Sequence, residues 1–112
     1  MIDVSDSERK IIVSILREYV PDAEVWVYGS RYRGNARKLS DLDLTVVAAE
    51  KLSSGILLQM KEAFADSLLP YLVDISEWNT LPPHFQKIIL QGHEVIYPEK
   101  SKIREMGEDD KK

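Results

Sequence analysis

Residues 29–44 decide the fold and read Gly-Ser-Arg-Tyr-Arg-Gly-Asn-Ala-Arg-Lys-Leu-Ser-Asp-Leu-Asp-Leu. The segment starts where a strand-like run at residues 24–28 stops, and its last four residues begin a second predicted strand at residues 41–48. Side chains two apart in a strand point to the same face, so Asp41 and Asp43 lie side by side while Leu42 and Leu44 point into the core. The segment therefore predicts a pair of carboxylates at the start of a half-buried strand.

The two aspartates indicate a site for a divalent cation. Two like charges held this close repel each other unless a cationic group lies between them. Hard oxygen ligands suit Mg²⁺, which fills its remaining positions with water and substrate phosphates. Asp41 and Asp43 are therefore predicted to be catalytic metal ligands. The alternative is a pair of ordinary solvent-facing residues at the start of a strand.

Gly29 and Ser30 are predicted to form a phosphate-binding turn. They stand between a strand and a short predicted helix, where free N–H groups and partial positive charge favour anions. Glycine lets a phosphate approach the backbone, and the Ser30 hydroxyl can donate a hydrogen bond. A phosphate cradle beside a carboxylate-bound metal is the minimum apparatus for phosphoryl or nucleotidyl transfer. Arg31 is placed best for an additional phosphate contact. The alternative is a solvated basic face formed by Arg31, Arg33, Arg37 and Lys38.

Asp74 is the third candidate carboxylate. It interrupts an apolar run at residues 71–75, and a lone aspartate within a strand is costly unless it is paired. If its strand neighbours the strand of Asp41 and Asp43, three carboxylates converge and can hold two metal ions. Asp74 would then act as a metal ligand, a general base, or both. The alternative is that Asp74 forms a hydrogen bond with Arg31 or with a backbone turn.

Hydrophobic periodicity and turn signals divide the chain into alternating helices and strands. Helices are predicted at residues 6–19 (after a capping box of Ser5 and Glu8), at 52–69, and from 82 to 91 before Gly92. Strands are predicted at residues 24–28, 41–48 and 71–78, with a short strand at 94–97. This order predicts an α/β domain with a small sheet at residues 1–97 and a charged, mobile tail at 98–112. The side chains expected to face the core include Leu68, Phe85, Ile88 and Ile89.

The bulk composition narrows the functional classes. Apolar residues form 44% of the 112-residue chain and charged residues 30%, as in a globular domain. The net charge of −4 disfavours a DNA-binding surface, and the absence of cysteine excludes disulfides and thiolate metal sites. The sequence has no signal-peptide or membrane-span pattern, so a cytoplasmic protein without membrane contact is expected. His84 and His93 match no metal-ligand spacing, and Trp26 and Trp78 are expected in the core or at an interface.

Residues 29–44 resemble the signature of the DNA polymerase beta-like nucleotidyltransferase superfamily. The whole chain is similar to its smallest branch, the minimal nucleotidyltransferase (MNT) proteins, over roughly residues 5–97. The resemblance also rests on residues 20–22, 73–75 and 85–95. It implies a mixed sheet flanked by helices. It further implies Mg²⁺ ligation by Asp41, Asp43 and Asp74, and nucleotide phosphates held at Gly29 and Ser30.

The resemblance also implies a partner protein. Family members of this size lack the helical domain with which larger nucleotidyltransferases hold the acceptor. They are similar to proteins that pair with an all-helical chain of the HEPN or substrate-binding type. In several such pairs the helical chain is a toxin ribonuclease, and the MNT chain is an antitoxin that adds AMP to it. The expected activity is a Mg²⁺-dependent transfer of AMP from ATP, or of another nucleotide, to a hydroxyl of such a partner.

Two other functions remain open on the sequence alone. The chain could be a non-catalytic subunit that binds a nucleotide or neutralises the helical partner by binding. It could also modify a small hydroxyl compound such as an antibiotic, although a chain of 112 residues has little surface for such a pocket. A homo-oligomer is equally compatible with the sequence.

Overall fold

The structure, a computed structural model, describes residues 2–99. Its helices are α1 (Asp6–Tyr19), α2 (Ser30–Arg33), α3 (Ile56–Ala65) and α4 (Pro83–Gln91), with a short 3-10 helix at Trp78–Thr80. Its strands are β1 (Glu24–Tyr28), β2 (Leu42–Val47), β3 (Val73–Glu77) and β4 (Glu94–Tyr97). The predicted α/β class and the order of elements are confirmed. Most of the predicted tail, residues 100–112, lies outside the described residues.

The four strands form one mixed sheet in the order β3-β2-β1-β4. β1 runs antiparallel to both β2 and β4, whereas β2 and β3 are parallel. The register places Asp43 opposite Asp74 across the parallel pair and opposite Tyr28 across the antiparallel pair. The strand of Asp74 is therefore a direct neighbour of β2. This is the condition under which Asp74 joins the other two carboxylates.

One face of the sheet forms the hydrophobic core with α1 and α3. Alternate residues of β1 and β2 point to this face and are fully buried, namely Val25, Val27, Leu42, Leu44 and Val46. They belong to one cluster with Ile12, Leu16, Met60 and Phe64 from the two helices. The predicted capping box starts α1, because the Ser5 hydroxyl accepts from the Glu8 N–H and the Glu8 carboxylate accepts from the Ser5 N–H. We call this side of the sheet the core face.

The opposite side of the sheet, the open face, is covered only in part by α4 and its neighbours. Phe85 on α4 meets Tyr28 edge-on, with ring centroids 5.8 Å apart. Trp26 stacks on His93 at 4.1 Å and meets Trp78 edge-on at 5.1 Å. These contacts cover the face around Trp26 and leave the region near Asp43 and Asp74 accessible from the surface.

Some helices begin or end at residues other than those predicted, because capping residues as well as hydrophobic periodicity determine where a helix begins and ends. α3 begins after Gly55, whose φ of 89° is left-handed, and it ends at Ala65, so it is shorter than the predicted 52–69. Leu68 therefore lies beyond the helix, is 90% exposed, and does not face the core as predicted. The prediction for Ile88 is also wrong, because this residue of α4 is 57% exposed at the edge of a surface cavity.

None of the helices within residues 2–99 combines the length and the apolar character that crossing a bilayer requires.

Candidate active site

Gly29 and Asp43 are in direct contact at the end of β1. Gly29 is the N-cap of α2 and has φ 76° and ψ −154°, a conformation that residues with side chains rarely adopt. A Cβ atom at this position would overlap Oδ2 of Asp43. Glycine is therefore required here by both conformation and space. Its absence of a side chain brings the main chain of the predicted phosphate turn against a predicted metal ligand.

Three carboxylates converge at the same end of the sheet. Asp43 and Asp74 are register partners on the parallel strands β2 and β3, and they lie on the open face. Asp41 is exposed and precedes β2, which begins at Leu42, so the predicted strand start at residue 41 is wrong by one residue. Asp41 is nevertheless near enough for its charge to act on Asp43.

The three carboxylates do not form a closed metal cage. Within the described residues, no three carboxylate or imidazole side chains come together as a complete metal-binding group. Mg²⁺ rarely uses an all-protein cage, since it takes one or two carboxylates and completes its shell with water and phosphate oxygens. An open pair of carboxylates with a third nearby is compatible with that pattern.

Asp43 carries most of the electrostatic cost of this arrangement. Burial, followed by the charges of Asp74 and Asp41, raises the pKa of Asp43 to about 6, and only Arg33 opposes the shift. Burial and then the charge of Asp43 also raise the pKa of the Tyr28 hydroxyl. The site thus holds an excess of negative charge that a bound cation would relieve.

A surface cavity of about 530 Å³ opens beside these carboxylates, and we call it cavity A. Its volume lies within the range of small-ligand sites, about 300–1,000 Å³. Gly29, Asp43 and Asp74 line one side together with Arg33. The other walls come from β1, α2 and α4, and they include Tyr28, Tyr32, Phe85, Ile88 and Gln91.

Arg31 has a different place from the one predicted. It is only 5% exposed, and its guanidinium donates hydrogen bonds of 2.9 to 3.0 Å to the carbonyl oxygens of Asp3, Lys38 and Ser40. Its Cζ lies 3.7 Å from the centroid of the Tyr71 ring. Because its donors already bind the backbone, Arg31 is not brought into cavity A, and we withdraw its predicted phosphate contact. It also does not pair with Asp74, the alternative considered for that carboxylate.

Arg33 lies on the side of α2 where Arg31 was expected. Residues two apart on an α-helix are separated by about 200°, so these two arginines point in nearly opposite directions. Arg33 is exposed, lines cavity A and lowers the pKa of Asp43 by its charge. The helical spacing of residues 31 and 33 was the signal that could have distinguished the two arginines.

The aromatic wall of cavity A was not recognised from the sequence. Tyr28 and Tyr32 are four residues apart in the chain but belong to different elements, and Phe85 comes from the distant helix α4, so no pattern within one element connects the three. His84 and His93 do not line cavity A. His84 is exposed, and the Nδ1 atom of His93 lies 3.0 Å from the Ile89 carbonyl oxygen.

Comparison with known proteins identifies the family. A family model described as "Polymerase beta, Nucleotidyltransferase" matches residues 10–102. A protein of Haemophilus influenzae (strain ATCC 51907 / DSM 11121 / KW20 / Rd) named "Probable protein adenylyltransferase MntA" is 41% identical over 104 residues. That alignment covers 93% of this chain and 90% of the relative.

Solved structures share the fold at lower sequence identity. A toxin–antitoxin structure with AMP-PNP has a TM-score of 0.69 at 20% identity and covers 84% of this chain and 76% of that chain. The structure of tri-AMPylated Shewanella oneidensis HEPN toxin in complex with MNT antitoxin has a TM-score of 0.64 at 17% identity. It covers 88% of this chain and 76% of that chain. The family model and the 41% identical relative, together with the mixed sheet and its paired aspartates, show that this chain belongs to the polymerase beta nucleotidyltransferase family.

Proposed function

We propose that this protein transfers AMP from ATP to a hydroxyl group of a helical HEPN-type partner, as the MNT chain of a toxin–antitoxin pair. The observation that carries the proposal is the contact of Gly29 with Asp43, which itself faces Asp74. It sets a phosphate-accessible backbone beside paired carboxylates. The name of the Haemophilus relative supports protein adenylylation as the reaction. The related complex of an MNT antitoxin with an AMPylated HEPN toxin supports the class of acceptor.

We assign the nucleotide to cavity A. Gly29 lines the cavity and permits close approach of a phosphate. Ser30 opens α2 next to it but does not line the cavity, so the hydrogen bond from its hydroxyl to a phosphate oxygen stays a prediction. Arg33 adds a cation at the edge of the cavity. The rings of Tyr32 and Phe85 offer apolar surface for a base. A related structure that contains AMP-PNP supports a nucleoside triphosphate as the ligand.

The three aspartates offer the oxygen ligands that Mg²⁺ prefers. Asp43 and Asp74 would hold it, with Asp41 as the third carboxylate nearby. All the donors are oxygen atoms, and the crowding of negative charge that raises the pKa of Asp43 is what a divalent cation relieves. Bound ions would neutralise charge on the phosphates and lower the pKa of the acceptor hydroxyl.

The residues of this chain position the reacting groups. The acceptor oxygen attacks the α-phosphorus of ATP, and the bond from that phosphorus to the pyrophosphate oxygen breaks. Gly29 and Ser30 hold the phosphates so that the attacking and leaving oxygens are in line. The acceptor proton passes to Asp74, which is exposed and can return it to water. The products are the AMP ester of the acceptor and free pyrophosphate.

The test is transfer of label from α-labelled ATP to the product of the neighbouring gene in the presence of Mg²⁺. We expect Asp43→Asn and Asp74→Asn each to lower the rate at least about a hundredfold, because each removes a charge that the reaction requires. Asp22→Asn is the matched control, since Asp22 is an exposed aspartate in the turn after α1. Absence of transfer by the wild-type chain, or wild-type transfer by Asp43→Asn, would contradict the proposal.

A second function, neutralisation of the partner by complex formation, is suggested by the related toxin–antitoxin structures, although one of them contains an AMPylated toxin and therefore also agrees with catalysis. It is compatible with catalysis, because one chain can both bind and modify its partner. The Asp43→Asn variant separates the two functions. If it forms the complex and restores growth fully while the partner stays unmodified, binding is sufficient.

A further inference from the structure

Asp74 lies between two cavities. One is cavity A, and the other is a surface cavity of about 690 Å³ that we call cavity B. Asp41 lines only cavity B and Asp43 only cavity A, whereas Asp74 lines both. The three aspartates therefore form the boundary between the two cavities, each of which is large enough to hold part of a substrate.

The direction of the reaction distinguishes the two cavities. The Gly29 backbone and Arg33, the groups suited to phosphates, line cavity A and are absent from the lining of cavity B. In nucleotidyl transfer the attacking oxygen and the leaving oxygen lie on opposite sides of the phosphorus. With the triphosphate in cavity A, the acceptor hydroxyl has to reach the phosphorus from the side of Asp41 and Asp74. Cavity B opens on that side.

The lining of cavity B is apolar at its rim. Leu39 is 65% exposed and Leu72 is 72% exposed, and they belong to the two segments that lead into β2 and β3. Beneath them, Phe64 and Tyr71 are buried and form a packed floor. Large exposed apolar side chains that border a cavity are typical of contact surfaces for other proteins. Lys61 of α3 adds an exposed ammonium group to this lining.

We propose that cavity B is the docking surface for the acceptor segment of the partner protein. The segment is apolar, contacts Leu39 and Leu72, and carries a carboxylate that pairs with Lys61. Its hydroxyl-bearing residue then extends to Asp41 and Asp74 at the boundary with cavity A. The inference rests on the proposed function for the reaction, but the contact surface itself depends only on the lining of cavity B.

A protein segment fits this surface better than a small hydroxyl compound does. Small-molecule sites orient their ligand with several convergent polar groups. Apart from the site carboxylates, the charged lining of cavity B is Lys61, and the rim is formed by leucine side chains on two separate segments. Such a rim can bind an extended apolar stretch but cannot fix the orientation of a small polar molecule.

The experiment uses the full chain and the product of the neighbouring gene, with Leu39→Asp, Leu72→Asp and Lys61→Glu as test variants. Leu58→Asp is the matched control, because Leu58 is a 61% exposed leucine of α3 that does not line cavity A or cavity B. Two readouts are taken for each variant. These are calorimetric binding of ATP with Mg²⁺, and AMP transfer as a function of partner concentration.

We expect each test variant to raise the KM for the partner about tenfold, since one well-packed interface residue contributes roughly this much. ATP affinity should stay within about twofold for all variants, and Leu58→Asp should behave as wild type. The inference is overturned if Leu39→Asp and Leu72→Asp transfer AMP with the wild-type KM. It is also overturned if they lower transfer only by weakening ATP binding.

Affinity for the partner distinguishes failure of this inference from failure of the proposed function. If the wild-type chain transfers no AMP, calorimetric affinity for the partner is measured with the same variants. Weaker partner binding by Leu39→Asp and Leu72→Asp, but not by Leu58→Asp, supports cavity B as the docking surface even then. Wild-type partner affinity of both Leu39→Asp and Leu72→Asp overturns it.

Discussion

The two faces of the sheet use neighbouring residues of the same strands for opposite purposes. On β2, Leu42 and Leu44 are fully buried on the core face, while Asp43 between them lies on the open face with two other carboxylates nearby. The core face is stabilised by burial of apolar surface. The open face holds repelling charges and has a cavity where the sheet is left uncovered. The position of the site is therefore set by buried core residues that do not themselves contact it.

The largest expected effect is on the core face. Leu44→Ala should lower the free energy of unfolding by about 2–5 kcal/mol, because it leaves a cavity in a fully buried cluster. Asp74→Ala, at the neighbouring register position on the open face, should change it by no more than about 0.5 kcal/mol. Urea denaturation of both variants measures the difference. Comparable losses from the two variants would contradict the division between the faces.

Helix α2 offers a second comparison of the same kind. Arg31→Lys should cost about 2 kcal/mol in stability, because a lysine cannot replace hydrogen bonds to three separate carbonyl groups. Arg33→Lys should leave stability within about 0.5 kcal/mol, since Arg33 is exposed. Thermal unfolding of both variants is the measurement. If Arg33→Lys is the more destabilising change, the roles assigned to the two arginines are reversed.

The smallest expected effect concerns pH and the charge on Asp43. Folding raises its pKa from 3.8 to about 6, so the folded state favours the protonated form and the cost of the charge appears as pH rises from about 4 to 6. Without Mg²⁺, Asp43→Asn should therefore stabilise the fold by about 1 kcal/mol at pH 7.5, after allowance for partial exposure. The difference from wild type should vanish near pH 3.5.

Unfolding midpoints of wild type and Asp43→Asn across pH 3.5–7.5 test this sign, with Asp22→Asn as the control. A gap that is constant with pH would show that the Asn side chain acts by packing and not by charge. A gap that grows towards low pH would reverse the sign and contradict the electrostatic account of the site.

Local patterns were sufficient for the centre of the site. The alternation of Leu42, Asp43 and Leu44 fixed which side chains share a face, because a strand repeats every two residues. The Gly29-Ser30 turn was expected to lie near Asp43, and its contact with that carboxylate is observed. The position of Asp74 depended on strand order, which no pattern within one strand specifies.

The errors arose where contacts distant in sequence compete with local spacing. The proximity of Arg31 to Gly29-Ser30 predicts a phosphate contact, whereas its guanidinium donates to carbonyl groups as far away in sequence as that of Asp3. Leu68 fits the helical period of α3, but the helix ends at Ala65 and Leu68 is left in solvent. The walls of cavity A could not be predicted because they require the packing of α4 over β1.

The link between the beginning of the chain and the loop before Asp41 has a practical consequence. Arg31 donates to the carbonyl of Asp3 and to that of Ser40, and the Asp3 N–H donates to the carbonyl of Arg31. Tyr71, beneath Arg31, donates its hydroxyl proton to Glu8 of the capping box. Ile2, next to Asp3, is itself buried, so we expect an affinity tag fused ahead of it to disturb the contacts that join Asp3 to the loop before Asp41. Protein for kinetic work should therefore be purified with a carboxy-terminal tag or with the amino-terminal tag cleaved away.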